Sequence, residues 1–345
     1  MSTIDVFTPA DMYKLDQGYR VTFTMSIGEA DPWPARMIAG LPMRGRKETF
    51  WWPEPTVQIR KRNASGKDIQ LVSLKWNKRT IAVDPYGIRF QLDRYQDVDL
   101  QAFNRIDAGA TFGDQCGAKA ATFIHRGVKY LLQNGSNAEL VNVWSGKPLF
   151  ATDHKISSAS DYTFSNKFVG MPLNATNLAA GMSYLAQIQD GTGDFLGLHR
   201  SVTLVHGSVK RARSEQLLNT EWYTDLFNGA NAASAQSIYY KGKWGFQEPI
   251  ADPYFDFAPS KWWLVSNTWK VPEQAPLHMP ELEPFTMTSW SGANAEDLAR
   301  REELLFDFKG RVGFMGGRPE RILEFDATGD VGDNDEKMIE IIANL

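Results

Sequence analysis

Residues 172–218, "PLNATNLAAGMSYLAQIQDGTGDFLGLHRSVTLVHGSVKRARSEQLL", change their hydrophobic period twice, and that change decides the fold class. From Ala175 to Gln189, Leu178, Met182 and Leu185 recur at three- and four-residue steps, which predicts a helix capped by Asn174 or Thr176. "DGTGD" at 190–194 is a turn. "SVTLV" at 201–205 is a short apolar run of the kind that forms a buried strand, and 208–219 return to a helical spacing. Ser208 stands near the cap of that helix, with Val209, Ala212, Leu217 and Leu218 as its apolar positions. Helix, turn, strand and helix in this order make a mixed α/β unit.

Upstream, Leu100, Phe103, Ile106, Ala110, Ala121, Ile124, Val128 and Leu131 predict one long helix over 98–133. Asp97 starts it, "NGS" at 134–136 stops it, and it would be about 50 Å long. Gly109, Gly113, Gly117 and Gly127 count against it at up to about 1 kcal/mol each, leaving a break near Gly113 open. Cys116 lies inside it, where packing is the expected role. Residues 1–50, punctuated by Pro and Gly, read as an extended arm. Thr56–Arg60 and Ile69–Trp76 flank the turn formers Asn63-Ala64-Ser65-Gly66 and predict a long basic β-hairpin. Such a hairpin is marginal alone and needs a partner surface. "TIAVDPYGIRFQLD" at 80–93 predicts a further strand pair turning at Asp84-Pro85-Tyr86-Gly87. Downstream, 261–269, 303–316 and 321–325 read as strands, and the last twenty residues as an acidic Gly/Asp linker with a short amphipathic end.

With 345 residues, 43% hydrophobic and 23% charged, the composition is that of a soluble globular protein of two or three domains. Cys116 is the only cysteine, which excludes intrachain disulfides and fits a reducing cytoplasm. No run is apolar and long enough to span a membrane, and the N-terminus has no secretory pattern. The net charge of −4 is unevenly spread. Residues 36–79 hold eleven Lys/Arg against three acids, and 320–345 hold eight acids against two bases. Oppositely charged ends suit contacts between neighbouring copies. The Trp51–Trp52 and Trp262–Trp263 pairs favour core or interface packing over sugar stacking.

Catalytic motifs are weak. In "FATDHKISSASDYTFSN" (150–166), Asp153 and His154 are sequence neighbours, and adjacent side chains in an extended segment point apart. The segment reads as a surface loop. "GFMGGRPE" (313–320) and "ATFGDQCGAKA" (110–120) lack the spacing and context of phosphate loops, and Glu302 and Glu303 read as a helix surface. Neither a metal nor a cofactor is expected. The basic stretch with Phe50, Trp51 and Trp52 could stack on single-stranded nucleic acid, but the acidic chain carries no binding-module signature.

The stretch "KPLFATDHK…TFSN", followed by 172–218, resembles the Mu-like phage major head subunit family. Phe150, His154 and Asn166 match its loop; Leu178, Met182, Asp190, Gly191 and Leu196–Leu198 its helix and turn. Leu204, Val205, Ala212, Leu217 and Leu218 match its strand and second helix; "KWWLVS" and "LFDFKGRVGF" resemble later strands. The chain departs from the family pattern at His206, Gly207 and Lys155, where Pro is usual. The resemblance covers about 95–325 and implies the α+β Hong Kong 97-type capsid fold. Its implied parts are an arm at 1–50, an E-loop hairpin with connecting strands at 51–92, and a peripheral domain with the spine helix at 93–139. An axial domain at 140–295, peripheral return strands at 296–328 and an acidic tail at 329–345 complete it.

The function implied is that of a major capsid protein of a tailed bacteriophage or prophage, not an enzyme. It would self-assemble into hexamers and pentamers of an icosahedral shell around double-stranded DNA, held without sequence specificity. The other implied partners are a scaffold and protease, a portal and decoration proteins, with assembly in the host bacterial cytoplasm. Nothing before residue 50 resembles a helical scaffolding segment, so loss of a large N-terminal piece is not expected. Arg44, Arg46, Arg60, Lys61, Arg62, Lys67, Lys75 and Trp76 are the candidate inter-subunit contacts, with Glu320, Glu324 and Asp326 as acidic counterparts. An encapsulin-like compartment shell would share the fold and hold protein cargo. An enzyme or carbohydrate-binding protein using the Trp pairs and His154 is the remaining alternative.

Overall fold

The computed structural model describes residues 33–53, 76–93, 108–156, 161–190, 192–218, 222–224, 234–236, 245–289 and 303–328. The chain enters through a 3-10 turn at Trp33–Arg36, then strands β1 (Ile38–Pro42), β2 (Lys47–Pro53), β3 (Trp76–Ala82) and β4 (Asp84–Asp93), and helix α1 (Ala108–Gln133). Short strands β5 (His154–Lys155), β6 (Thr163–Phe164) and β7 (Lys167–Val169) precede α2 (Ala175–Gln187), β8 (Val202–His206) and α3 (Arg211–Leu218). Next come β9 (Trp222–Thr224), β10 (Ser234–Gln236), β11 (Ile250–Ala251), β12 (Lys261–Ser266) and β13 (Leu277–Ser289). β14 (Glu303–Val312), β15 (Met315–Gly316) and β16 (Ile322–Asp326) follow.

β12, "KWWLVS", shows how the sequence builds the core. Successive side chains of a strand point to opposite faces, and a strand covered on both sides reads as a continuous apolar run. Trp262 and Leu264 face one core with Leu178, Met182 and Leu185 of α2; Trp263 and Val265 face the other with Leu131, Leu132 and Phe255. Trp262 stacks on Phe325 at 4.0 Å and donates from Nε1 to the Met171 carbonyl at 2.9 Å. The sheet around it runs β11-β8-β12-β16-β7. β12 is antiparallel to both neighbours, and the outer pairs β8–β11 and β16–β7 are parallel. Asn174 caps α2 as expected: its side chain accepts from Asn177 N at 2.7 Å.

A second sheet, β1-β13-β14-β4 with β15 added to β13, takes in β1 and β4, while β2 and β3 pair only with each other among the described residues. β1 lies parallel to β13, and β4 pairs along its whole length with β14. α1 runs unbroken for 26 residues, about 39 Å, through Gly113 and Gly117. At Gly127 the reason for glycine is visible, because a Cβ there would sit 1.9 Å from Cε1 of Phe314. The close approach of that ring offsets the helix-propensity cost. Cys116 is buried, and burial pushes its thiol up to about 11, which keeps it protonated and unreactive.

Several expectations change. Residues 33–42 are not a free arm: Trp33 is buried, its indole donates to Asp252 Oδ2 at 2.8 Å, and β1 joins the sheet. Asp84–Gly87 make no turn; they pair with Lys309–Val312 as the start of β4. Pro85 is tolerated because β4 is the edge of the described sheet, where a missing N–H breaks no ladder. Strand β13, expected within 140–295, belongs to the sheet beside the hairpin, whereas β16, expected among the return strands, belongs to the β12 sheet. Glu303 begins a strand rather than lying on a helix, and 303–316 is interrupted after Val312. The 208–219 helix begins as a 3-10 turn, leaving Val209 73% exposed rather than packed. Residues 98–107, the expected start of the long helix, lie outside the described residues.

Candidate functional site

The root of the hairpin is a two-stranded ladder of β2 and β3, in register from Lys47 opposite Ala82 to Pro53 opposite Trp76. Alternation gives it two unlike faces. Thr49 pairs with Thr80 (Oγ1 to Oγ1, 2.9 Å), and Trp51 with Lys78, whose ammonium lies 5.8 Å from the indole centroid. These four face solvent, and Trp51 is 56% exposed. On the other face Phe50 and Ile81 pack with Met43, Val83 and Met315, which fixes the root to the body. Arg79, opposite Phe50, crosses to the body as well. It donates from Nη1 to the Gly316 carbonyl at 3.0 Å and from Nη2 to Asn142 Oδ1 at 2.5 Å. Burial lowers its pKa to about 10.

Of the expected contact residues, Arg44 and Arg46 lie exposed between β1 and β2, where Arg44 N donates to Glu48 Oε2 at 2.7 Å. Trp76 opens β3. Arg60, Lys61, Arg62, Lys67 and Lys75, with the expected strands Thr56–Arg60 and most of Ile69–Trp76, lie outside the described residues. Two expected acidic counterparts are not on the surface. Glu324 is fully buried, 3.0 Å from Lys261 Nζ and 3.4 Å from the Trp263 indole nitrogen, and burial pushes its carboxyl up. Glu320 is buried beside Arg318 at 3.8 Å. Neither can meet a neighbour's hairpin. Asp326 is half-buried and accepts from Thr328 N at 2.9 Å. Sequence reasoning counted Arg79 among the bases but passed over its role. The signal was its place opposite Phe50, on the face that alternates away from Trp51.

Among the described residues of 150–166, Thr152, Asp153, Asp161 and Thr163 are exposed as a surface loop predicts, but His154, Phe164 and Asn166 are buried. His154 is buried, donates from Nε2 to the Leu149 carbonyl at 3.1 Å, and stacks on Phe164 at 5.5 Å. Asn166 holds the same place together: its amide donates to the carbonyls of Leu149 (2.8 Å) and Pro319 (3.0 Å), and its oxygen accepts from Ala151 N (2.9 Å). Asp153 points away to Lys147, so no Asp–His dyad exists. Desolvation lowers the pKa of His154 to about 4, the Leu149 bond opposing it only in part. The unfolded imidazole, near pH 6.5, therefore binds its proton first. This contribution to stability is complete above about pH 6.5 and is lost as pH falls toward 4, in total about 3 kcal/mol. Denaturant unfolding at pH 7 and pH 4.5 should show the loss, and His154→Asn should flatten it.

Among the described residues no group of three or more His, Cys, Asp or Glu could hold a metal ion, and no helix is long and apolar enough to cross a membrane.

No family model and no curated protein matches the sequence. Solved structures do match in shape. The procapsid of bacteriophage JBD30 aligns over 98% of this chain and 82% of its own, at 15% identity and TM-score 0.51. The capsid of the cyanophage P-SCSP1u aligns over 84% and 85%, at 11% identity and TM-score 0.51. The chain therefore has the α+β fold of these shells, the Hong Kong 97 type.

Proposed function

We propose that this chain is the major capsid protein of a tailed bacteriophage or prophage, of the Mu-like head subunit type. One observation carries the reading. A hairpin root, bonded to its own body on the Phe50–Arg79 face, turns Trp51, Lys78 and two threonines outward with no third strand beside them among the described residues. An exposed indole beside a cation is the usual anchor of a protein contact. In a lattice of identical copies a neighbour would cover it. Contacts between unlike patches close into rings when the rotation allows, here the hexamers and pentamers of an icosahedral shell. Each contact can be modest, because multivalency makes the whole durable.

In this reading Arg44 and Arg46, with Arg60, Lys61, Arg62, Lys67, Lys75 and Trp76, dock on the neighbouring subunit, and Asp326 is the surviving acidic candidate. The shell encloses double-stranded DNA without sequence specificity and assembles in the host bacterial cytoplasm with a scaffold, protease and portal. Catalysis has no part in it.

Electron microscopy of the purified full chain, with and without a scaffold, tests the reading. Closed shells or ring-shaped capsomers are expected. A monomer that stays monomeric at every concentration and with scaffold would overturn it, and shells loaded with protein cargo would replace it with the compartment reading.

A further inference from the structure

At the hairpin root, residues 44–53 and 76–84, exposed cations outnumber carboxylates. Arg44, Arg46, Lys47 and Lys78 are exposed, and none forms an ion pair with another described residue. The acids of the same stretches are Glu48, which accepts from the Arg44 backbone nitrogen at 2.7 Å, and Asp84, at the start of β4. The ladder puts Lys47 and Lys78 on one face with Trp51, through the pairs Lys47–Ala82, Thr49–Thr80 and Trp51–Lys78. The exposed indole therefore has one lysine beside it and another about 13 Å along its strand. Such a face fits a partner that is acidic and apolar at once.

Residues 329–345 have both characters. Of the eight acids in 320–345, Glu320 and Glu324 are buried and Asp326 is half-buried. The other five, Asp330, Asp333, Asp335, Glu336 and Glu340, follow Thr328, and Lys337 is the one base among them. Met338, Ile339, Ile341 and Ile342 come directly after the densest acids. We propose that residues 330–342 of an adjacent copy dock on the Trp51 face, the carboxylates against Lys47, Lys78, Arg44 and Arg46 and the apolar side chains against the indole. The presence of that copy rests on the capsid reading. The root joins the body at Asn142 and Gly316, ahead of β16, whereas the tail departs after β16 at Thr328, whose carbonyl accepts from Gly170 N. The chain's own tail thus starts out from a different part of the body, and the occupant is a neighbour's. Extended, Asp335 reaches up to about 25 Å from Thr328, enough to cross onto an adjacent subunit. The docking gives the basic root and the acidic tail of one sequence a common use.

Carbodiimide cross-linking of the full chain tests this, because it joins lysine amines to carboxylates they touch. Copies with natural and with heavy nitrogen are mixed before assembly, cross-linked, digested and read by mass spectrometry. The expected result is Lys47 or Lys78 joined to a peptide carrying Asp333, Asp335 or Glu336, with light and heavy partners in the same joined pair. Lys119 and Lys309, exposed elsewhere, should join that peptide about tenfold less. Raising salt from about 0.1 M to about 1 M shortens the screening length from about 10 Å to about 3 Å and should cut the joined yield about threefold or more. Pairs of one label only, which mean the chain's own tail, or a tail joined to Lys119 and Lys309 as often as to Lys47 and Lys78, would overturn the proposal. Shells without these joined pairs would overturn it and leave the capsid reading standing. Mixed-label pairs in a protein that never closes shells would uphold the docking and sink the capsid reading, and the absence of both would sink both.

Discussion

Trp51→Glu should leave the subunit folded and stop it closing into shells. Trp51 is more than half exposed, and among the described residues its contacts are a cation 5.8 Å from its ring and its strand partners. Removing such a side chain costs an isolated subunit within about 0.5 kcal/mol. In an interface, a central tryptophan is worth about 2 kcal/mol or more, and burying a carboxylate in its place adds a desolvation cost. A loss of about 2 kcal/mol per contact raises the dissociation constant of each contact roughly 30-fold. Repeated around every ring, that is enough to hold the protein as free subunits. Circular dichroism melting and sedimentation, run on the same sample, check both halves: an unchanged melt with loss of fast-sedimenting particles.

Trp262→Ala should do the reverse. Trp262 is fully buried, stacked on Phe325, and bonded through its indole to Met171. Truncating it removes that stack, leaves the Met171 carbonyl without its donor, and opens a cavity between α2 and β12. The expected cost is about 3–5 kcal/mol. That is a large share of the 5–15 kcal/mol that holds a typical domain folded. Denaturant unfolding should show the loss, and the variant should reach the insoluble fraction before assembly becomes the question. Tryptophans that look alike in the sequence thus separate: Trp51 is exposed on a hairpin, and Trp262 and Trp263 are buried on the two faces of β12.

Much of this was legible before any coordinates. The period change in 172–218 placed α2, β8 and α3, because helices and strands bury one face at different spacings and both signals are local. The long helix was legible for the same reason, and Gly127 counted against it only because Phe314, far along the chain, supplies the packing that this glycine permits. Strand β1 was hidden. Its parallel partner β13 is distant in sequence, and no local pattern announces such a pairing. Asp84-Pro85-Tyr86-Gly87 has turn chemistry, yet an edge strand accepts it. The charges were the hardest to read. Glu320 and Glu324 look like surface acids until Arg318 and Lys261 are seen beside them, and burial of a charge depends on partners that composition cannot reveal.

The most direct measurement is cryo-electron microscopy of whatever the purified chain assembles into, read at Trp51. The prediction is a closed lattice in which the Trp51–Lys78 face of the hairpin is covered by an adjacent copy. A self-contained particle of one chain, with that face open to solvent or folded onto its own body, would contradict it.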